Sequence, residues 1–249
     1  MSATTRAPLR EGEVPAAAGV ADAAVWRTLY RIGAASAGLF VALIVSATVL
    51  FVVTPPPVAG GAATLAYIAE HRSLYLVHQQ LWLVPGLFAM LVYVALYPAL
   101  REHDRSLAAV GAAIGAAAWG LTLAMPTTST GAPALVYLSD QWTSAADASQ
   151  QALFVAAAEG LIAINRTPTA VGVLAPIAML LTSVAMLRGA FPRWIAALGI
   201  ATGVLGVASE ALRPVIEGGY TLYGLLMLVW FGGVGWRLWR LGRGSAARS

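Results

Sequence analysis

The sequence predicts an all-α fold: a polytopic membrane bundle of six transmembrane helices with an outer helical cap. Three observations predict it. Apolar residues make up 59% of the chain and charged residues 10%, with a mean hydropathy of +0.76, far from the balance of a soluble domain. Six apolar runs, 33–53, 73–100, 107–125, 168–187, 194–212 and 220–239, each approach or exceed the roughly 20 residues a helix needs to cross a hydrocarbon core of about 30 Å. Finally, twelve of the 15 basic residues fall on one side of that series. They are Arg6, Arg10, Arg27, Arg31, Arg101, Arg105, Arg188, Arg193, Arg237, Arg240, Arg243 and Arg248, leaving Arg72, Arg166 and Arg213 on the other. Basic residues are retained on the cytoplasmic side during insertion, so both termini are expected to be cytoplasmic.

The first element is a cytoplasmic tail over residues 1–32, with Pro8, Pro15, Glu11 and Glu13 and no apolar run. The first run is as long as a full span and ends at Thr54-Pro55-Pro56-Pro57, a poor cleavage context, which reads as an uncleaved anchor. Gly60 and Gly61 lead to an amphipathic helix over 62–72 at the outer surface, followed by a second span kinked at Pro85-Gly86. The third span has Gly111 and Gly115, and the fifth Gly199, Gly203 and Gly206. Such spacing serves close helix packing, within the chain or at a dimer interface.

The long connection over 127–167 predicts an outer hairpin, with helices over 133–142 and 145–164. Its apolar stretch 152–164 is too short to cross comfortably, and a crossing there would invert every later arginine cluster. Thr167-Pro168 is expected to cap the fourth span, which Pro176 kinks. The sixth ends in a belt of Trp230, Trp236 and Trp239 with snorkelling arginines, and residues 242–249 form a second cytoplasmic tail, so the transmembrane domain covers 33–241.

Composition also excludes chemistry. All 15 cations are Arg, which reads as the coding bias of a GC-rich bacterium and places the chain in a bacterial plasma membrane. A chain without Lys forms no Schiff base, and one without Cys has no disulfide, thiolate nucleophile or cysteine-ligated metal. The pI of 9.8 does not imply nucleic acid, because the arginines are spread among membrane-flanking segments; the lipid bilayer is the expected partner.

Ionisable or hydrogen-bonding residues gather on the outer side: Glu70, His71, Arg72, His78, Gln79, Gln80, Asp140, Asp147, Glu159, Asn165, Glu210, Arg213 and Glu217. Counting Arg72, Arg166 and Arg213 against six acids gives that side a net charge of minus three. His71 and His78, seven residues apart, would share a helix face but stand about 10 Å apart, too far for one metal ion with bonds of about 2 Å. Glu210 and Arg213 can pair three residues apart on one face. Charges near a span are costly unless paired or facing a cavity, so His78, Gln79, Trp82, Glu159, Glu210 and Arg213 form the candidate ligand site. No catalytic residue, metal site or cofactor is assigned.

The stretch 62–113 is similar to a bacterial family of six-helix integral membrane proteins of unknown function. The likeness rests on Leu96-Tyr97-Pro98-Ala99-Leu100-Arg101, on Arg105-Ser106-Leu107-Ala108, and on the turn Leu187-Arg188-Gly189-Ala190-Phe191-Pro192-Arg193-Trp194 followed by Leu198-Gly199. The resemblance implies a six-helix bundle and transfers no chemistry. Three functional classes follow from the residues: a protein binding a small molecule or lipid headgroup in an outward-facing cavity, a small-molecule or ion transporter, and a membrane-embedded hydrolase.

Overall fold

The computed structural model describes residues 25–55, 60–124, 128, 131–165, 167–189, 191–213 and 219–243. Among them lie nine helices and no strand: α1 Arg27–Val53, α2 Gly61–Leu83, α3 Pro85–Leu100, α4 Arg105–Ala124, α5 Ala134–Thr143, α6 Ala148–Asn165, α7 Ala170–Met186, α8 Arg193–Ala211 and α9 Gly219–Arg243. The expected tails before residue 25 and after 243, with Pro56, Pro57, Thr127, Arg166, Pro214 and Glu217, lie outside the described residues.

Six helices close into a ring in chain order, α1 on α3, α3 on α4, α4 on α7, α7 on α8, α8 on α9, and α9 back on α1. Short connections at 101–104 and 187–192 make neighbours antiparallel. Gly235 abuts Ala37 and Gly242 abuts Arg31, so α9 and α1 are antiparallel too. Five helical stretches, α1, the continuous pair α2–α3, α4, α8 and α9, are long and apolar enough to cross a membrane. The expected fourth span becomes α7, a shorter apolar helix of 17 residues, about 26 Å long and at the lower limit for a crossing.

The ring is packed for lipid outside and aromatic rings within. Leu39, Val45, Val94, Val110, Val204 and Leu225 are exposed on its outer surface. Phe40, Tyr93, Trp119, Trp230 and Phe231 meet in its middle, with ring centroids 4.1 to 6.3 Å apart and several edge-to-face pairs. Trp230 departs from the expected interfacial belt. It is fully buried and donates its Nε1–H to Ser183 Oγ at 3.1 Å, because its face of α9 turns inward while Trp236 and Trp239 turn out. Those two carry Arg240 and Arg243 over their rings at 4.3 and 4.8 Å.

Small residues set the helix spacing. A Cβ at Gly115 would enter the Tyr93 ring, one at Gly111 would meet Thr182 at 2.7 Å, and Gly203 and Gly206 lie against Pro176 of α7. The glycine pairs seen in the sequence therefore pack within the chain.

The two faces of the ring differ. The terminal face, where α1 begins and α9 ends, is tied by an ion pair between Arg188 and Asp104, whose Oδ1 also accepts the Leu107 N–H and so starts α4. On the opposite, cap face, α2, α5 and α6 pack on one another around Leu65, Ile68, Tyr75, Leu135, Val136 and Ala158. This is the expected helical cap, with α5 and α6 as its hairpin. Arg72 pairs with Asp140, and Ser139 Oγ donates to the Leu65 carbonyl at 2.8 Å, joining α2 to α5.

Two expectations shift here. Thr169, not Thr167, caps α7, its extended backbone letting Oγ1 accept the Gly172 N–H at 3.0 Å. His71 interrupts α2 with non-helical angles (φ −124°, ψ 36°), so His71 and His78 do not share one straight face.

Gly115→Val should lower the midpoint of thermal unfolding in detergent, at an overpacking cost of about 1–3 kcal/mol. Gly224→Ala, on a glycine with open space around it, should leave the midpoint unchanged or raise it, since Ala is the better helix former.

Candidate functional site

The six candidate residues sit on or beside the cap face in three groups. His78, Gln79 and Trp82 lie on the part of α2 that leads into α3. His78 is 3% exposed and stacks on Phe51 of α1, centroids 6.0 Å apart at 26°. Gln79 is fully buried, and its Oε1 accepts the Thr128 hydroxyl at 2.8 Å. Beside it the Tyr75 hydroxyl donates to the Ala132 carbonyl at 3.1 Å and accepts the Ala132 N–H at 3.2 Å. Gly131, at φ +148°, leaves room for that hydroxyl; any side chain there would collide with it.

His78 and Trp82 are four residues apart, hence on one helix face. Both His78 ring nitrogens and Trp82 Nε1 are buried without a hydrogen-bond partner among the described residues. Buried polar groups are nearly always satisfied, which sets these three atoms of α2 apart from Gln79 and Tyr75 beside them. A neutral imidazole there offers one donor and one acceptor, and the indole a further donor.

Glu159 is elsewhere. Its Oε1 accepts the Gly61 N–H at 2.5 Å at the first turn of α2, where a carboxylate is favoured by unpaired N–H groups and the helix dipole. Gly60, at φ +87°, brings the chain into that turn. Seventeen residues of helix, about 25 Å, separate Gly61 from His78.

Glu210 and Arg213 form the third group, at the ends of α7, α8 and α9. Glu210 is fully buried, accepts the Thr169 N–H at 2.7 Å, and lies 3.5 Å from Arg213. Its other oxygen, Oε2, has no partner among the described residues. Arg213 also donates to the Thr167 carbonyl at 3.0 Å and lies 4.7 Å over the Tyr220 ring. Gly172 makes the space for this carboxyl, which a Cβ would strike. The arrangement clasps the start of α7 to the end of α8, a charge-assisted cap across two helices.

Two further polar residues of the cap face, Asp147 and His71, have partners close in sequence. Asp147 is the N-cap of α6, accepting from the Gln150 N–H at 2.8 Å and the Ser149 hydroxyl at 2.7 Å, which hold its carboxyl below the usual carboxylate range. Gln150 Oε1 accepts the Ala146 N–H at 2.8 Å, just ahead of that cap. His71 is exposed, 3.9 Å from Glu70 and stacked on Tyr67. No group of three His, Asp or Glu among the described residues is placed to hold a metal ion. Tyr75, Thr128, Thr169 and Gly172 escaped the sequence reading, since a lone residue in an apolar run announces nothing about what another helix brings to it.

Ring, cap and buried polar clasps define the class, a multi-pass, all-α integral membrane protein. The chain belongs to the family described as Domain of unknown function (DUF4386), whose model matches residues 19–244. No curated protein and no solved structure matches it.

Glu210→Ala strips the start of α7 and leaves Arg213 without its partner, and should cost about 3 kcal/mol. Glu159→Ala, at an exposed cap, should cost about 1 kcal/mol. Thermal melts of the two variants in one detergent should preserve that order.

Proposed function

We propose that this membrane protein binds a small polar molecule or lipid headgroup at its cap face, on α2, through His78, Gln79 and Trp82. The supporting observation is the buried imidazole of His78, with neither nitrogen partnered among the described residues and Trp82 Nε1 in the same condition one turn on. A ligand bearing two acceptors and one donor would satisfy them and regain the roughly 1–3 kcal/mol that each unmet buried group costs. In this reading Glu159 and the Glu210–Arg213 pair frame the same face, holding α2 and α7 in place. Transport has less support, because five aromatic rings fill the middle of the bundle. The hydrolase reading has no observation in its favour.

The same proposal places the terminal face in the cytoplasm of a bacterial cell. Arg27, Arg31, Arg101, Arg105, Arg188, Arg193, Arg237, Arg240 and Arg243 lie on it, against Arg72 and Arg213 on the cap face, the asymmetry that orients helices. α6, which exposes Leu153 and Ile164, then rests its apolar face at the outer headgroup boundary.

His78→Phe keeps the stack on Phe51 and deletes both nitrogens. Native mass spectrometry should show a non-covalent adduct on the wild-type protein that H78F loses, while the variant alone melts no lower, by relief of about 1 kcal/mol of unmet polarity. A wild-type protein without an adduct, or an adduct that survives in H78F, overturns the binding reading. Orientation has its own check: in this chain without Cys, a cysteine at the exposed Thr167 should react with a membrane-impermeant thiol reagent in intact cells.

A further inference from the structure

At the opposite end of the bundle, an apolar groove of about 390 Å³ lies between α8 and α9 on the lipid-facing surface, lined by Trp194, Val229, Gly232, Gly233 and Trp236. The groove is shallow and open along its lipid side. The two indoles are its walls, Trp194 52% and Trp236 43% exposed. The glycines are its floor. Gly233 lies against Trp194 and Ile195, while a Cβ on Gly232 would meet nothing within 4 Å, so the empty volume stands directly over that residue. The mouth toward the terminal face is cationic. Arg240 places its guanidinium 4.3 Å over the Trp236 ring, and the exposed Arg193 immediately precedes Trp194 at the start of α8.

We propose that this groove is a binding site for an anionic phospholipid, one acyl chain lying over Gly232 between the two indoles and the phosphate held at Arg193 and Arg240. An apolar slot of aromatic walls suits a chain, and a pair of arginines at headgroup depth suits a phosphodiester, which a guanidinium can bind with two parallel N–H donors. Val229 to Trp236 covers seven residues, about 10 Å of depth, so chain and phosphate are engaged together only by a molecule aligned with the bilayer normal. Charge decides against a second copy of the chain as occupant. A two-fold axis along that normal would bring Arg193 and Arg240 of both copies together at one depth, a like-charge contact. The site is independent of His78 and of any ligand bound there.

The full-length protein, purified in neutral detergent, is titrated with phosphatidylglycerol and with phosphatidylcholine and read by native mass spectrometry. Wild type should retain phosphatidylglycerol in preference to phosphatidylcholine. Gly232→Leu, at a position where a Cβ meets nothing within 4 Å, puts a side chain into the groove and should weaken retention of both lipids about tenfold. Gly224→Leu, on the same helix and equally open but outside the groove, is the control and should bind as wild type. Arg193→Gln with Arg240→Gln should keep lipid binding and lose the anionic preference, roughly fivefold for each arginine. Equal retention of the two lipids by wild type, or equal retention by G232L and G224L, overturns the proposal. So does a detergent-stable dimer that G232L alone dissolves, which would assign the groove to a second copy.

Discussion

Helices surrounded by lipid gain nothing by hiding apolar surface from it, so this bundle depends on how closely its backbones approach. Each seam of the ring carries a small residue where a side chain would strike the neighbour: Gly33 against Ala95, Gly115 against Tyr93, Gly111 against Thr182, Gly203 and Gly206 against α7, Gly199 against Trp230, Gly235 against Ala37. Close approach multiplies dispersion contacts that are individually tiny. It also shrinks the interior until five aromatic rings fill it. The same packing explains the near absence of charge inside the ring: Ser36, Thr182, Ser183 and Thr202 are its buried polar side chains between the ends. Thr182 and Thr202 return their hydroxyls to carbonyls of their own helices at 2.8 and 2.7 Å.

Four of the seven carboxylates among the described residues start helices. Asp104, Asp147, Glu159 and Glu210 each accept a backbone N–H at or next to the first turn of α4, α6, α2 and α7. Two act within a turn and two across long stretches of chain, and the long-range pair fixes the architecture, Glu159 joining α6 to α2 and Glu210 joining α8 to α7. An acid at a helix start meets unpaired donors and the positive end of a dipole, which makes a charge tolerable beside a membrane. With these acids at structural tasks, the nitrogens of His78 and Trp82 are left without a hydrogen-bond partner among the described residues.

Much of the fold was legible because span length and arginine position are local properties of a chain in lipid. The outer hairpin read at 133–142 and 145–164 forms as α5 and α6, shifted by one to three residues. Facing was less legible. Trp230 differs from Trp236 and Trp239 by which side of α9 it occupies, and on a helix apolar all round no periodicity marks the inward side. The cap of α7 fell on Thr169, because two threonines flank Pro168 and only tertiary placement of the strand-like approach selects one. The candidate site was legible as a set of residue types but not as a constellation: Glu159 and His78 belong to opposite ends of one helix.

The sequence by itself determined the solvent, the helical class, the approximate spans and the arginine asymmetry, since each follows from the free energy of moving single residues or short runs between water and lipid. Only the tertiary structure decided that the six long runs close into a ring around aromatic residues, that the glycine pairs face inward partners, and that Glu159 and Glu210 serve two different helices. Those outcomes depend on contacts between residues as much as 98 positions apart, where shape and distance rule and local composition carries no record.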